Sequence, residues 1–269
     1  MPWVETSSLS FTARHESAQD DAAQAVLGDL EEFRVSMAAL FDEVPGMVSV
    51  VIHPRTEMLV LAAPWLPLAR AVSAPAARRY FAGWFARNEI HVLAPAALEQ
   101  RASGVPGSRE ALLRSPRHEY AHLVLGANNP SLPPPFGVST FRRYVKMAWL
   151  CEGAATYLAG QVPHMRAAIA RRLREGGRPA FPPAPKDALV LGGTVFGMLE
   201  LEAGRAACAE LARAADETSS RGAIEAAFGR PLASVERGWQ DYLAGLTTPE
   251  RVRAGARPGT DRRQPRRDL

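Results

Sequence analysis

Two histidines four residues apart, with a glutamate directly after the first, constrain this chain more than any other stretch: His118-Glu119-Tyr120-Ala121-His122. An α-helix has 3.6 residues per turn, so positions four apart return to one face and both imidazoles can reach a single metal ion. Glu119 then stands where a carboxylate can take a proton from water activated by that metal, the general-base arrangement of a zinc hydrolase. By this chain's own His and acid content, such a match arises by chance in roughly one sequence in a hundred of this length, so the motif needs support from its surroundings. Without that support the plain alternative is two surface or core histidines on an ordinary helix. Ser115 and Pro116 read as N-cap and N1 residues and Gly126 as a C-terminal stop, which predicts a short helix of about ten residues around the motif.

Further support comes from Ala148 to Tyr157, Ala-Trp-Leu-Cys-Glu-Gly-Ala-Ala-Thr-Tyr, which carries Glu152. The pairing of His118-Glu119-x-x-His122 with a later Trp-Leu-x-Glu-Gly-x-Ala-x-Tyr resembles the gluzincin metallopeptidases, in particular bacterial proteins of the peptidase MA-like kind. Carried over residue by residue, the resemblance implies one zinc ion held by His118, His122 and Glu152, with Glu119 as catalytic base. Three protein ligands and one open position suit a catalytic zinc. Gly83-Trp84 and the segment Ile90 to Pro95 also match the family. The resemblance further implies that the strand before the metal helix is a sheet edge able to pair with an extended peptide. Thr156, one turn after Glu152, is a candidate outer partner for a ligand histidine, and Tyr157 is a candidate to orient Glu152 or line the cleft. Packing is the plain reading of both. His53, His91 and His164 are not spaced as ligands and read as structural or surface residues.

A chain of 269 residues is long enough for one large domain or two small ones sharing a site. Its hydrophobic content of 47% and charged content of 22% are those of a folded globular protein. The formal charge of +4 needs to be located before it is interpreted. From Glu250 to Leu269 there are seven Arg against three acids, a surplus of four, which leaves 25 basic against 25 acidic residues in positions 1 to 249. A neutral body gives no electrostatic footprint for nucleic acid. Cys151 and Cys208 both sit in apolar helical contexts and read as buried free thiols. No apolar run approaches the ~18 residues of a membrane span. The start, Met1-Pro2-Trp3-Val4-Glu5, has neither a basic nor an apolar signal region, so the chain as given reads as cytoplasmic, with a trimmed exported form the open alternative.

Periodicity organises the rest. Ser8 to His15 alternates as a half-buried strand, Asp20 to Phe41 is a long amphipathic helix, and Met47 to His53 is a buried strand. Glu57 to Ala77 is apolar and Pro-containing and yields no assignment. Tyr80, Phe81, Trp84 and Phe85, set among arginines, read as core rather than as a surface patch. Ile90 to Pro95 reads as a strand. A short helical turn from Ser108 precedes the motif helix, and Gly126 to Ser139 is an irregular loop. Thr140 to Gly160 forms one or two helices, and Met165 to Arg174 a basic helix. Asp187 to Glu202, Ala206 to Ala215 and Arg221 to Phe228 complete a mainly helical half, and the ending, from Ala226 through Val235 and Trp239 to Leu243, resembles the terminal helices of the gluzincin family named above.

The predicted architecture is a zincin-like α+β protein. Residues 2–126 form an α+β subdomain with a small twisted sheet and the metal helix, 127–246 a helical subdomain carrying the third ligand, and 247–269 a basic disordered tail, with the active-site cleft between the two subdomains. The expected function is zinc-dependent hydrolysis of peptide bonds in a peptide or protein substrate, with no nucleic-acid partner and no transmembrane segment. The rival is a catalytically weak or inactive zincin-fold protein that binds extended peptides. Gluzincins usually supply a Tyr, His or Arg to stabilise the oxyanion. No Tyr stands between Tyr157 and Tyr242, which leaves Tyr144, Tyr157, His164 or the metal alone for that role.

Overall fold

The computed structural model describes residues 2–136, 138–214, 216 and 218–247. The protein is mixed α+β and mainly helical, with one small mixed sheet of order β1-β2-β3-β5-β4. Its strands are β1 (Trp3–Ser7), β2 (Phe11–Glu16), β3 (Val48–His53), β4 (Gly83–Phe85) and β5 (Glu89–Leu93). The hairpin β1-β2 and the pair β4-β5 are antiparallel, whereas β2, β3 and β5 run parallel.

The alternation expected from Ser8 starts at Phe11 instead. Phe11, Ala13 and His15 point inward, while Leu9 is 89% exposed in the β1-β2 turn. That turn is pinned by Glu31 Oε1, which accepts from Ser8 Oγ at 2.7 Å and from the Ser10 backbone N–H at 2.6 Å. Helix α1 (Asp20–Ala38) buries Ala23, Val26, Leu27, Leu30, Phe33 and Met37, the stripe that its period predicts. It joins β2 to β3 as the crossover that a parallel pair requires.

The stretch without a sequence assignment forms two short helices, α2 (Thr56–Ala62) and α3 (Leu66–Val72). Among the aromatics that follow, Tyr80 and Phe85 are in the core, and Phe81 and Trp84 pack against it. The segment Ile90 to Pro95 supplies β5, but as an interior strand between β3 and β4. The edge is therefore β4, because the chain doubles back antiparallel through Gly83–Phe85 before entering β5.

Helix α4 (Pro95–Arg101) and α5 (Ser108–Leu113) lead to the motif helix, α6 (Ser115–Asn128). It is 14 residues long rather than ten, with Arg114 as N-cap and Ser115 already helical. Gly126 does not stop it. A Cβ there would lie 2.5 Å from Pro134 Cδ and 2.7 Å from Pro133 O, so glycine lets the proline loop close on the helix. The helix runs on to Asn128, whose amide donates to Val124 O and Glu43 O.

Helices α7 (Val138–Lys146) and α8 (Ala148–Leu158) follow the loop, then α9 (Arg166–Arg174). All eleven residues of α8 are buried, between α6, α10 (Gly193–Ala214) and a π-helical turn at Ala188–Gly192. Gly153 of α8 and Gly192 of that turn meet backbone to backbone. A buried ion pair between Arg172 and Asp187 ties α9 to the entrance of the turn. Helix α10 kinks at Gly204, φ +84°, at the break anticipated between Glu202 and Ala206. Helices α11 (Ser220–Phe228) and α12 (Leu232–Thr247) close the fold, with Trp239 Nε1 donating to Thr194 Oγ1 at 2.8 Å.

Both cysteines are free and buried. No helix among the described residues is long and apolar enough to cross a membrane. The predicted disordered tail lies, from residue 248, outside the described residues.

Candidate metal centre

Helix α6 places His118 and His122 one turn apart, and α8, packed against it, brings Glu152 to the same point. His118 Nε2 is 3.3 Å from Glu152 Oε2, His122 Nε2 is 3.1 Å from His118 Nε2, and His122 Nε2 is 3.7 Å from Glu152 Oε1. Ligand atoms about 2.0–2.2 Å from a common centre in a tetrahedral arrangement lie roughly 3.3–3.6 Å apart, so two imidazoles and one carboxylate at these separations fit such an ion. Among the described residues, this trio is the one group of three or more His, Cys, Asp or Glu side chains close enough to hold a metal ion. The three are 6%, 1% and 7% exposed respectively.

Glu119 is also 6% exposed and is fitted against the edge strand. A Cβ at Gly83 would lie 2.5 Å from Glu119 Cγ and 2.7 Å from its Cδ, so β4 approaches this side chain only because residue 83 has none. Two positions along β4, Phe85 stacks on His122 at 4.1 Å between centroids and 17° between planes. Strand β4 thus shapes the site from one side and α8 from another.

Burial sets the charges. Desolvation pushes the Glu119 carboxyl up to about 8, with the Glu152 charge adding to it and His118 opposing. Desolvation also acts to raise Glu152, but the two imidazoles and hydrogen bonds from His118 and Tyr144 overcome it and hold the group down at about 2. His122 is lowered to about 3 by burial, so it is neutral with a lone pair available. Burial acts to lower His118 as well, and is outweighed by hydrogen bonds to Glu152 and Gln161 and by the charges of Glu119 and Glu152, which raise it. The trio sets an ionised carboxylate facing two imidazoles, residue types that could hold a metal ion. Sequence reasoning brought these four residues together, and the structure does likewise.

The groups around them were less accessible to sequence. Gln161 Nε2 donates to Ala111 O at 2.8 Å, which turns its Oε1 toward His118 to accept from Nδ1 at 3.0 Å. His118 is thereby oriented with Nε2 toward the other ligands. His122 Nδ1 is 3.4 Å from Cys151 Sγ. Tyr144 Oη donates to Glu152 Oε1 at 2.6 Å. Metal-bound imidazoles and carboxylates need such outer partners, yet Gln161 and Tyr144 stand in other elements than their targets and share no period with them. Cys151, adjacent to Glu152, was recognised only as a buried thiol.

The two residues suggested for outer roles are placed elsewhere. Thr156 Oγ1 donates to Leu189 O at 3.3 Å, toward the π-helical turn. Tyr157 stacks on Phe196 at 5.8 Å, on the side of α8 away from the ligands, and its buried hydroxyl has no hydrogen-bond partner among the described residues. Of the candidate oxyanion donors only Tyr144 is at the centre. His164 lies in the turn before α9, its backbone against Gly107. His53 and His91 stack on one another in the sheet, consistent with their structural reading.

A comparison of the chain with family models, with curated proteins and with solved structures finds no match.

Proposed function

We propose that this chain is a zincin-like metallopeptidase of the gluzincin kind, hydrolysing peptide bonds with Glu119 as general base. The observation that carries the reading is the convergence of His118, His122 and Glu152 on one buried point, with Glu119 next in sequence to the first of them. Those three residues would hold one zinc ion, which when bound supplies a Lewis acid for the scissile carbonyl and lowers the pKa of water. Glu119 takes the proton of the attacking water and delivers it to the leaving amine. Tyr144, whose phenol is the nearest neutral donor to Glu152, is assigned to the developing oxyanion. Gln161 keeps the His118 imidazole in its working tautomer. Strand β4, last in the sheet, offers its outer edge to an extended peptide.

One observation favours the rival reading of a peptide-binding protein that cuts weakly or not at all. Glu119 and all three candidate ligands are at most 7% exposed, so the site is closed as it stands.

Metal content and hydrolysis of a mixed peptide library, measured on wild type and Glu119→Gln together, separate the two. One equivalent of zinc in both proteins, with cleavage lost by a factor of about 10² or more in the variant, is the expected result. Zinc in both with cleavage in neither transfers the assignment to the binding protein, and folded protein that takes up no zinc from excess metal removes the site itself.

A further inference from the structure

Thirteen large apolar side chains are exposed among the described residues, and six of them belong to α2, the α2–α3 junction, α3 and α7. Leu61, Trp65, Leu68 and Val72 follow one another at spacings of four, three and four, and are 79%, 38%, 66% and 67% exposed. Phe141 and Val145, again four apart, are 56% and 40% exposed on α7. The inward residues of the first set, Leu59, Ala63 and Leu66, are buried to within 1%, so both helices are anchored and display their remaining apolar residues outward.

The two sets are joined by a run of aromatic rings. Trp65 meets Trp84 at 4.0 Å, Trp84 meets Phe136 at 4.7 Å, Phe136 meets Tyr144 at 6.1 Å, and Tyr144 meets Phe141 at 6.4 Å. A run of ring contacts thus links the α2–α3 junction to α7 past strand β4.

Of the three helices, α2 carries Glu57, α3 Arg70, and α7 Arg142, Arg143 and Lys146, so positive charge predominates on them. Residues 58 to 88 contain Arg70, Arg78, Arg79 and Arg87 and no acid, and residues 120 to 151 contain Arg142, Arg143 and Lys146 and no acid. Glu57, in the first turn of α2, and Glu89, at the start of β5, mark the limits of the first run. Arg70, Arg78 and Arg79 are held by the backbone carbonyls of Phe81, Ser73 and Arg101, neutral acceptors that fix the guanidinium groups without cancelling their charge. Four cations against one acid on the three helices contrast with a chain whose residues 1 to 249 balance at 25 against 25.

We propose that the surface formed by α2, α3 and α7 seats the protein on an anionic lipid bilayer. Exposed Leu, Val, Phe and Trp side chains beside arginines are the composition that enters a headgroup region, where apolar groups leave water and cations meet lipid phosphates. A second copy of this chain is a poorer occupant, because an isologous contact sets this mainly cationic patch against itself. The contact uses none of the candidate metal ligands, so vesicle binding tests it separately from the metal chemistry proposed above.

The test uses the full chain with vesicles of phosphatidylcholine alone or with roughly one-third phosphatidylglycerol, at low and physiological salt. Co-sedimentation with the anionic vesicles only is expected. Leu68→Asp with Val72→Asp, and separately Phe141→Asp with Val145→Asp, each lower partitioning about tenfold or more. Unchanged circular dichroism is expected in both variants, since none of the four side chains is buried. Acyl-chain bromination quenches the part of the fluorescence that Trp65→Phe removes. Binding equal to wild type in both double variants overturns the proposal and assigns any affinity to the Arg-rich residues after 250. Absence of vesicle binding, with a concentration-dependent dimer that the same variants dissolve, overturns it in favour of a second copy.

Discussion

Replacing Gly153 by alanine sets two effects of known size against each other. On helix propensity alone the change stabilises by about 1 kcal/mol, since glycine is the poorest non-proline residue in a helix interior. In this protein the added Cβ would lie 2.5 Å from Gly192 C and 2.8 Å from both its Cα and its O. Ordinary carbon contacts begin near 3.5 Å, so α8 and the π-helical turn must part by about 1 Å. The obstructing atoms are backbone and no rotamer relieves them, which puts the overpacking cost near the upper end of its usual range, about 3 kcal/mol. Sterics win by roughly 2 kcal/mol, a fall in Tm of about 4–8 °C for a chain of this size.

Gly28 is the control. It is an exposed residue of α1 with nothing within 4 Å of an added Cβ, so Gly28→Ala meets only the propensity term and stabilises by up to about 1 kcal/mol. Urea denaturation of the two variants beside wild type measures both signs. Because Glu152 precedes Gly153, displacement of α8 also weakens zinc affinity in Gly153→Ala, readable by chelator competition. A Gly153→Ala protein at least as stable as wild type would falsify the packing argument, as would a loss in Gly28→Ala of equal size.

Gln161→Leu removes the acceptor that orients His118 and strands its Nδ1 donor. Zinc affinity is expected to drop about 10–100-fold with the fold intact, and an unchanged dissociation constant excludes the orienting role. Tyr144→Phe deletes only the hydroxyl on Glu152. If the phenol stabilises the oxyanion, kcat falls by about 10²–10³ with KM nearly constant, whereas an unchanged kcat returns the donor to the unassigned state. His53, desolvated and beside His91, has its pKa lowered to about 4 from 6.5. The unfolded chain gains a proton between these values that the folded one refuses, so the stability is fully present above pH 6.5 and drains away as pH falls toward 4. With solvent reaching the neighbouring His91 and Glu89, the loss amounts to about 1–2 kcal/mol. Denaturation midpoints at pH 7 and 4.5 should converge for His53→Gln relative to wild type, and parallel declines count against the assignment.

The sequence by itself determined the elements with a strong period or a chemical motif. Helix α1 and strand β3 follow from apolar spacing, because a regular element can bury only the residues on one face. His118 and His122 are a pair by helix geometry alone. Glu152 is legible only through its motif, since nothing in 29 intervening residues dictates that α8 should pack on α6. Strand β1, exposed on both faces, has no alternation to read. The placement of β5 inside the sheet with β4 at its edge, the access that Gly83 gives to Glu119, and the turn of Gln161 toward His118 were decided by tertiary structure. Each depends on where two segments distant in sequence come into contact, and that is fixed by packing across the core, which no local spacing encodes.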